Sequence, residues 1–236
     1  MKDGDALKKA IRAVNWNENA AQFAVDEALV DRVATCNYRL ALWAKQLESA
    51  DHANQALPFV RDMQASGQYV AALIALALYR PAAYGMRSVF EAALYYTYLR
   101  THPAELRTLV RDPSFFLWKN DVVEYHKKHT EGFSERQHAL GLLSDLETWY
   151  SHISAVAHGQ TPGSWVRHTS LSDVKHHPHI VSSAVEGFEG GVDLVCRLFL
   201  CTVAPNLWDG FTAAAKEKLL RGIPAEKKAV LGLGLL

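Results

Sequence analysis

The chain has 236 residues, 49% of them hydrophobic and 21% charged, a globular composition rather than a disordered one. Its 25 Lys and Arg balance 25 Asp and Glu, so no global basic field draws in nucleic acid; a local patch is still open, and 11 His add charge below neutral pH. The charged start (Lys2, Asp3, Asp5, Lys8, Lys9) lacks a secretory core, and the greasy stretch Tyr69 to Tyr79 is too short for a bilayer, so a cytoplasmic protein with no membrane partner is expected.

Taken in chain order, the pattern predicts helix nearly throughout. Asn19 to Ala50 is one long amphipathic stretch, with Phe23, Leu29, Val33, Leu40 and Leu47 near helical spacing. A second helix is predicted from Leu57 to Tyr79, with Pro58 in its first turn. Ala71 to Leu78 is apolar all round, which predicts a central position. Arg80-Pro81 should break or kink that helix before a third one, Ala82 to Thr101. These two helices should pack as an antiparallel hairpin, burying Leu73, Leu76, Val89, Phe90 and Leu94. Shorter helices follow over Pro103–Val110 and Ser114–His129, then a longer one capped by Ser134 and running to His158, where Gly159 stops it.

Gln160 to His179 reads as a long loop in which Trp165-Val-Arg-His could be extended. Ile180 to Ala204 is predicted helical despite Gly187, Gly190 and Gly191, because small residues also permit close packing. Pro205 ends it, Leu207 to Leu220 forms another helix, and a tail ends in Leu-Gly-Leu-Gly-Leu-Leu. No run alternates as a strand does. The expected fold is all-α: an up-and-down antiparallel helical bundle with additional C-terminal helices, in a single domain over 1–236. Cys36, Cys196 and Cys201 have no metal-binding or redox spacing and read as reduced, buried thiols.

Two segments carry chemistry. Arg87 and Glu91 lie four apart on an otherwise apolar helix, so they leave one face together. They read either as a phosphate-orienting group with a base or as an ion pair pinning helices. If the pair is shielded from solvent, losing Glu91 should cost about 3 kcal/mol or more. The second segment is Ser151-His-Ile-Ser-Ala-Val-Ala-His158-Gly159, in which Ser151, Ser154 and His158 share a stripe. His158 reads as a general acid/base or as a cap on the last carbonyls of its helix. Neither Ser sits in a nucleophile elbow, and no Gly-rich phosphate loop precedes a helix. His168 and His176-His177-Pro178-His179 suggest a metal, but a solvated loop is the simpler reading, and no metal or cofactor is expected.

Arg87-Ser-Val-Phe-Glu91, continued by Tyr95-Tyr96-x-Tyr98, and the later Tyr150-Ser-His-x-Ser…His158-Gly159 together resemble the HEPN superfamily of small helical proteins. The resemblance covers about residues 60–200 and is greatest to the branch found beside abortive-infection and antiphage systems. It implies a bundle of four to five helices, usually a homodimer. In active members it implies metal-independent RNA cleavage by a toxin or defence protein, with an Arg holding the scissile phosphate and a His moving the 2′-hydroxyl proton. This chain keeps His158 but has His152 where the Arg is expected, and a partly protonated imidazole is a weaker phosphate clamp than a guanidinium. Arg87 would then supply the charge from another helix.

The resemblance therefore places His158, Arg87, Glu91 and His152 as catalytic candidates, with Ser151, Ser154 and Tyr95 as substrate-binding candidates and RNA as a partner. Two other readings stay open: a catalytically silent helical module that binds a partner protein or nucleic acid, and a metal- or ligand-binding helical protein that uses the His168–His179 loop.

Overall fold

A computed structural model describes residues 3–233; the end of the Leu-Gly-Leu-Gly-Leu-Leu tail lies outside them. The fold is all-α, with no strand among the described residues. The helices are α1 (Asp3–Ala13), α2 (Trp16–Ala24), α3 (Glu27–Ala50), α4 (Leu57–Ala75), α5 (Tyr79–Leu99), α6 (Pro103–Arg111), α7 (Lys119–His129), α8 (Phe133–Leu140), α9 (Leu142–Ala157), α10 (Pro178–Thr202), α11 (Ala204–Leu207), α12 (Ala213–Leu219) and α13 (Ala225–Leu231). Helices α3, α4, α5, α9 and α10 pack into a bundle, and α11 to α13 follow as C-terminal additions.

The expected α4–α5 hairpin forms, but its joint differs. Leu76 N–H bonds to Ala72 O and Leu78 N–H reaches back to Leu73 O at 2.8 Å, with Ala77 left-handed at φ 60° between them. Pro81 does not break the chain. It sits in the first turn of α5, where its missing N–H would have no intrahelical partner anyway. Val89, Phe90 and Leu94 are buried, whereas Leu73 and Leu76 are only partly so, because Val70 and Ile74 turn inward instead. The central position belongs to α5 and α10 rather than to 71–78. Helix α10 buries Val181, Val185, Phe188, Val192, Val195 and Phe199 along one stripe. Trp43 of α3 meets Phe199 edge-on at 5.1 Å, and one apolar cluster continues from Val14 to Leu233.

Other predicted boundaries move for local reasons. The 19–50 stretch is cut at Asp26, whose carboxylate accepts from Leu29 N–H at 3.1 Å and so starts α3 afresh. Ser134 is not a cap: left-handed Gly132 precedes α8, and left-handed Gly141 separates α8 from α9. Residues 114–118 are not helical, and Tyr95 Oη donates to Leu117 O at 3.1 Å there. Trp165 is left-handed (φ 56°) and buried rather than extended. The loop that holds it is tied down by Asn19. The Asn19 amide donates to Leu76 O and Val174 O and accepts from His176 N–H at 3.0 Å.

The glycines of α10 have a definite use. Trp149 of α9 lies over them, donating Nε1–H to Gly187 O at 2.7 Å. A Cβ on Gly191 would stand 2.5 Å from Trp149 Cζ2. Gly191→Ala should therefore destabilise the protein by about 1–2 kcal/mol, since overpacking a built contact outweighs the helix-propensity gain. The urea midpoint reads this. An unchanged or raised midpoint would mean that α9 does not rest on α10 in this way.

Candidate functional site

Helix α5 projects Arg87 and Glu91 from one face, and α9, held by Trp149, brings the next residue, Tyr150, against them. Arg87 Nη2 donates to Glu91 Oε1 at 2.8 Å and to Tyr150 Oη at 2.8 Å. Tyr150 Oη in turn donates to the same Glu91 oxygen at 2.6 Å. Two turns after Tyr150, His158 Nε2 lies 2.7 Å from Arg87 Nη1. A guanidinium only donates, so Nε2 must be the acceptor and the neutral ring carries its proton on Nδ1. The edge of the imidazole also meets Tyr84, with ring centroids 5.8 Å apart.

The electrostatics are consistent with these roles. The Arg87 side chain is 20% exposed and that of Glu91 35%. Burial works against the Arg87 charge, but the hydrogen bond and charge of Glu91 more than offset it, so its pKa rises. Burial and then the Glu91 carboxylate push the Tyr150 phenol up to about 12, which keeps it a donor. Arg87 Nε is buried without a partner. A cleft of about 490 Å³ opens beside Arg87, Glu91, Tyr95 and Tyr150. Lys119 stands over the Tyr150 ring at 4.9 Å and pairs with Glu147 at 3.1 Å. Phe116 and Trp118 form an edge-on pair on the rim and are 54% and 63% exposed. His158 lies outside the lining of this cleft, at the solvent end of the network.

The structure thus joins Arg87, Glu91 and His158, the residues of the two motifs, through one guanidinium. The cap role weighed for His158 goes elsewhere: Arg80 Nε donates to Ala157 O at 3.0 Å, covering the end of α9. His152 does not join the network. Six residues before His158, it points about 120° away around the helix, and its ring neighbours Trp165 at 6.4 Å. Ser151 is exposed. Ser154, one turn from both Tyr150 and His158, keeps a buried Oγ with no partner. Tyr95 lines the cleft. Among the described residues, no three His, Cys, Asp or Glu side chains are placed to hold a metal ion, including those of the His168–His179 loop. Nor is any helix among them long and apolar enough to cross a membrane.

Tyr150, Lys119, Phe116, Trp118 and Arg80 surround the site without being among the site residues expected from sequence, although Tyr150 opens the second motif. Tyr150 had a signal, since eight residues before His158 is two helical turns on the same stripe as Ser154. The others arrive through tertiary packing alone.

Solvent reaches Glu91, so the shielded-pair cost of about 3 kcal/mol does not apply in full. Glu91→Ala should cost about 1–2 kcal/mol, between the values for exposed and buried pairs. His158→Ala should cost less than about 1 kcal/mol, because its ring is exposed and the helix end is capped by Arg80. Denaturant melts decide this; a larger loss for His158→Ala would reverse the assignment of which residue holds the helices together. Comparisons with protein-family models, curated proteins and solved structures find no match for this chain.

Proposed function

We propose that this protein is a metal-independent endoribonuclease of the HEPN type, acting as a toxin or in antiviral defence. The observation that carries the reading is the 2.7 Å contact between Arg87 of α5 and His158 of α9, which joins two sequence-distant motifs beside an open cleft. The defence setting and a homodimeric state follow from the resemblance alone.

In this reading a substrate phosphate replaces His158 as the acceptor of Arg87 Nη1. That exchange frees the Nε2 lone pair to take the proton of a neighbouring 2′-hydroxyl. The 2′ oxygen bonds to phosphorus, the bond from phosphorus to the 5′ oxygen breaks, and the leaving oxygen takes a proton from water. Arg87 stabilises the charge gathering on the phosphorus-bound oxygens. Glu91 and Tyr150 are positioning residues that hold the guanidinium. A rival reading, the silent module that binds a protein or nucleic acid, is favoured by one fact: Arg87 already spends its terminal nitrogens inside the chain.

Purified protein should cut single-stranded RNA in the presence of EDTA, leaving a 2′,3′-cyclic phosphate, and a deoxyribose at the scissile position should block the cut. His158→Ala should lower the rate by about 10²-fold or more, and Arg87→Ala should lower it too. No cleavage, with or without any partner encoded nearby, would sink the proposal. So would a His158→Ala variant as active as the parent, and the interaction-module reading would then stand.

A further inference from the structure

A second cleft, larger than the first at about 800 Å³, lies where α3, α10 and α12 meet the turn at 220–224. Five cations line it (Arg39, Arg197, Lys218, Arg221 and Lys227) against two carboxylates, Asp145 and Asp193. The chain as a whole is neutral, so this is a local concentration of positive charge.

The cations fall into two groups. Arg39 and Arg197 are matched: Asp193 takes Arg39 at 3.0 Å and Arg197 at 2.5 Å, while Arg197 also reaches Asp145 at 2.6 Å and Leu140 O at 2.9 Å. They build the wall. Among the described residues, the other three have no comparable partner. Lys218 Nζ donates to the neutral Tyr38 Oη at 2.6 Å and lies 5.1 Å from that ring's centroid. Among the described residues Arg221 pairs with Glu217 alone, at 3.9 Å, with both side chains more than 70% exposed, a geometry worth little. Lys227 makes no ion pair among the described residues; its charge only helps to lower the pKa of Asp145, behind the larger effect of Arg197. Apolar side chains, among them Leu140, Leu200 and Ile223, complete the lining.

We infer that this cleft binds a small phosphorylated molecule of nucleotide size, with its phosphates on Lys218, Arg221 and Lys227 and its uncharged part on the apolar lining. The volume falls in the range of small-ligand pockets. The unmatched cations supply what a polyanion needs and a neutral metabolite does not. The site is separate from the Arg87 network and does not depend on the ribonuclease reading.

Calorimetric titration of the full chain at low salt, without divalent cations, tests this with pyrophosphate and with ATP. Both should bind, ATP more tightly because it adds apolar contact, and both should weaken as salt rises. Lys218→Ala and Lys227→Ala should each weaken binding by about tenfold, and the double variant by more. His158→Ala should bind as the parent does, which separates this site from the first. Two results would overturn the inference: no binding of either probe, or binding that the double variant leaves unchanged. In the first case, a short RNA that binds through Lys218 and Lys227 would give the cleft to a polynucleotide backbone instead.

Discussion

A guanidinium largely withdrawn from water has to be answered on several sides at once. Arg87 is such a group, and the candidate site is organised around answering it. Glu91 supplies charge from one turn along the same helix. Tyr150 supplies a phenolic oxygen from α9 that accepts from Arg87 and donates its own hydrogen bond to Glu91. His158 supplies a lone pair from the end of α9. Each partner is of a different chemical kind, and only the first lies on the helix of Arg87. The network therefore exists only if α5 and α9 are held at one distance and one rotation.

That requirement falls on Trp149. Its ring rests on the glycine face of α10, and its indole N–H is fixed to Gly187 O. The neighbouring residue is Tyr150, so the contact that sets α9 against α10 also sets the phenol against Arg87. At the C-terminal end of α9, Arg80 covers the Ala157 carbonyl and leaves the His158 ring free to turn toward Arg87. A helix interface rich in glycine, weak by intrinsic propensity, is in this way part of how the site is positioned.

Much of this was legible in the sequence where a periodic pattern set the answer. The helical character, the α4–α5 hairpin and the shared face of Arg87 and Glu91 follow from spacing alone. So does the alignment of Tyr150, Ser154 and His158, but spacing does not say that the Tyr150 phenol, rather than Ser154, meets Arg87. What could not be read were choices settled by tertiary contact. Nothing local says that Ala77 rather than Arg80-Pro81 makes the joint, that Ile74 outcompetes Leu73 for the core, or that Arg80 takes the cap role from His158. The basic cleft was equally hidden, since Arg39, Arg197 and Lys218 come from helices far apart in a chain whose charges sum to zero.

The joint role of Arg87 and His158 requires that they share a hydrogen bond in solution. Nitrogen-15 NMR of the His158 ring reads this directly. With Arg87 donating to Nε2, the unprotonated ring should be the Nδ1–H tautomer, and Arg87→Ala should release it from that form. A parent ring that carries its proton on Nε2, or a tautomer indifferent to Arg87, would contradict the network and remove the basis for assigning these residues a joint role.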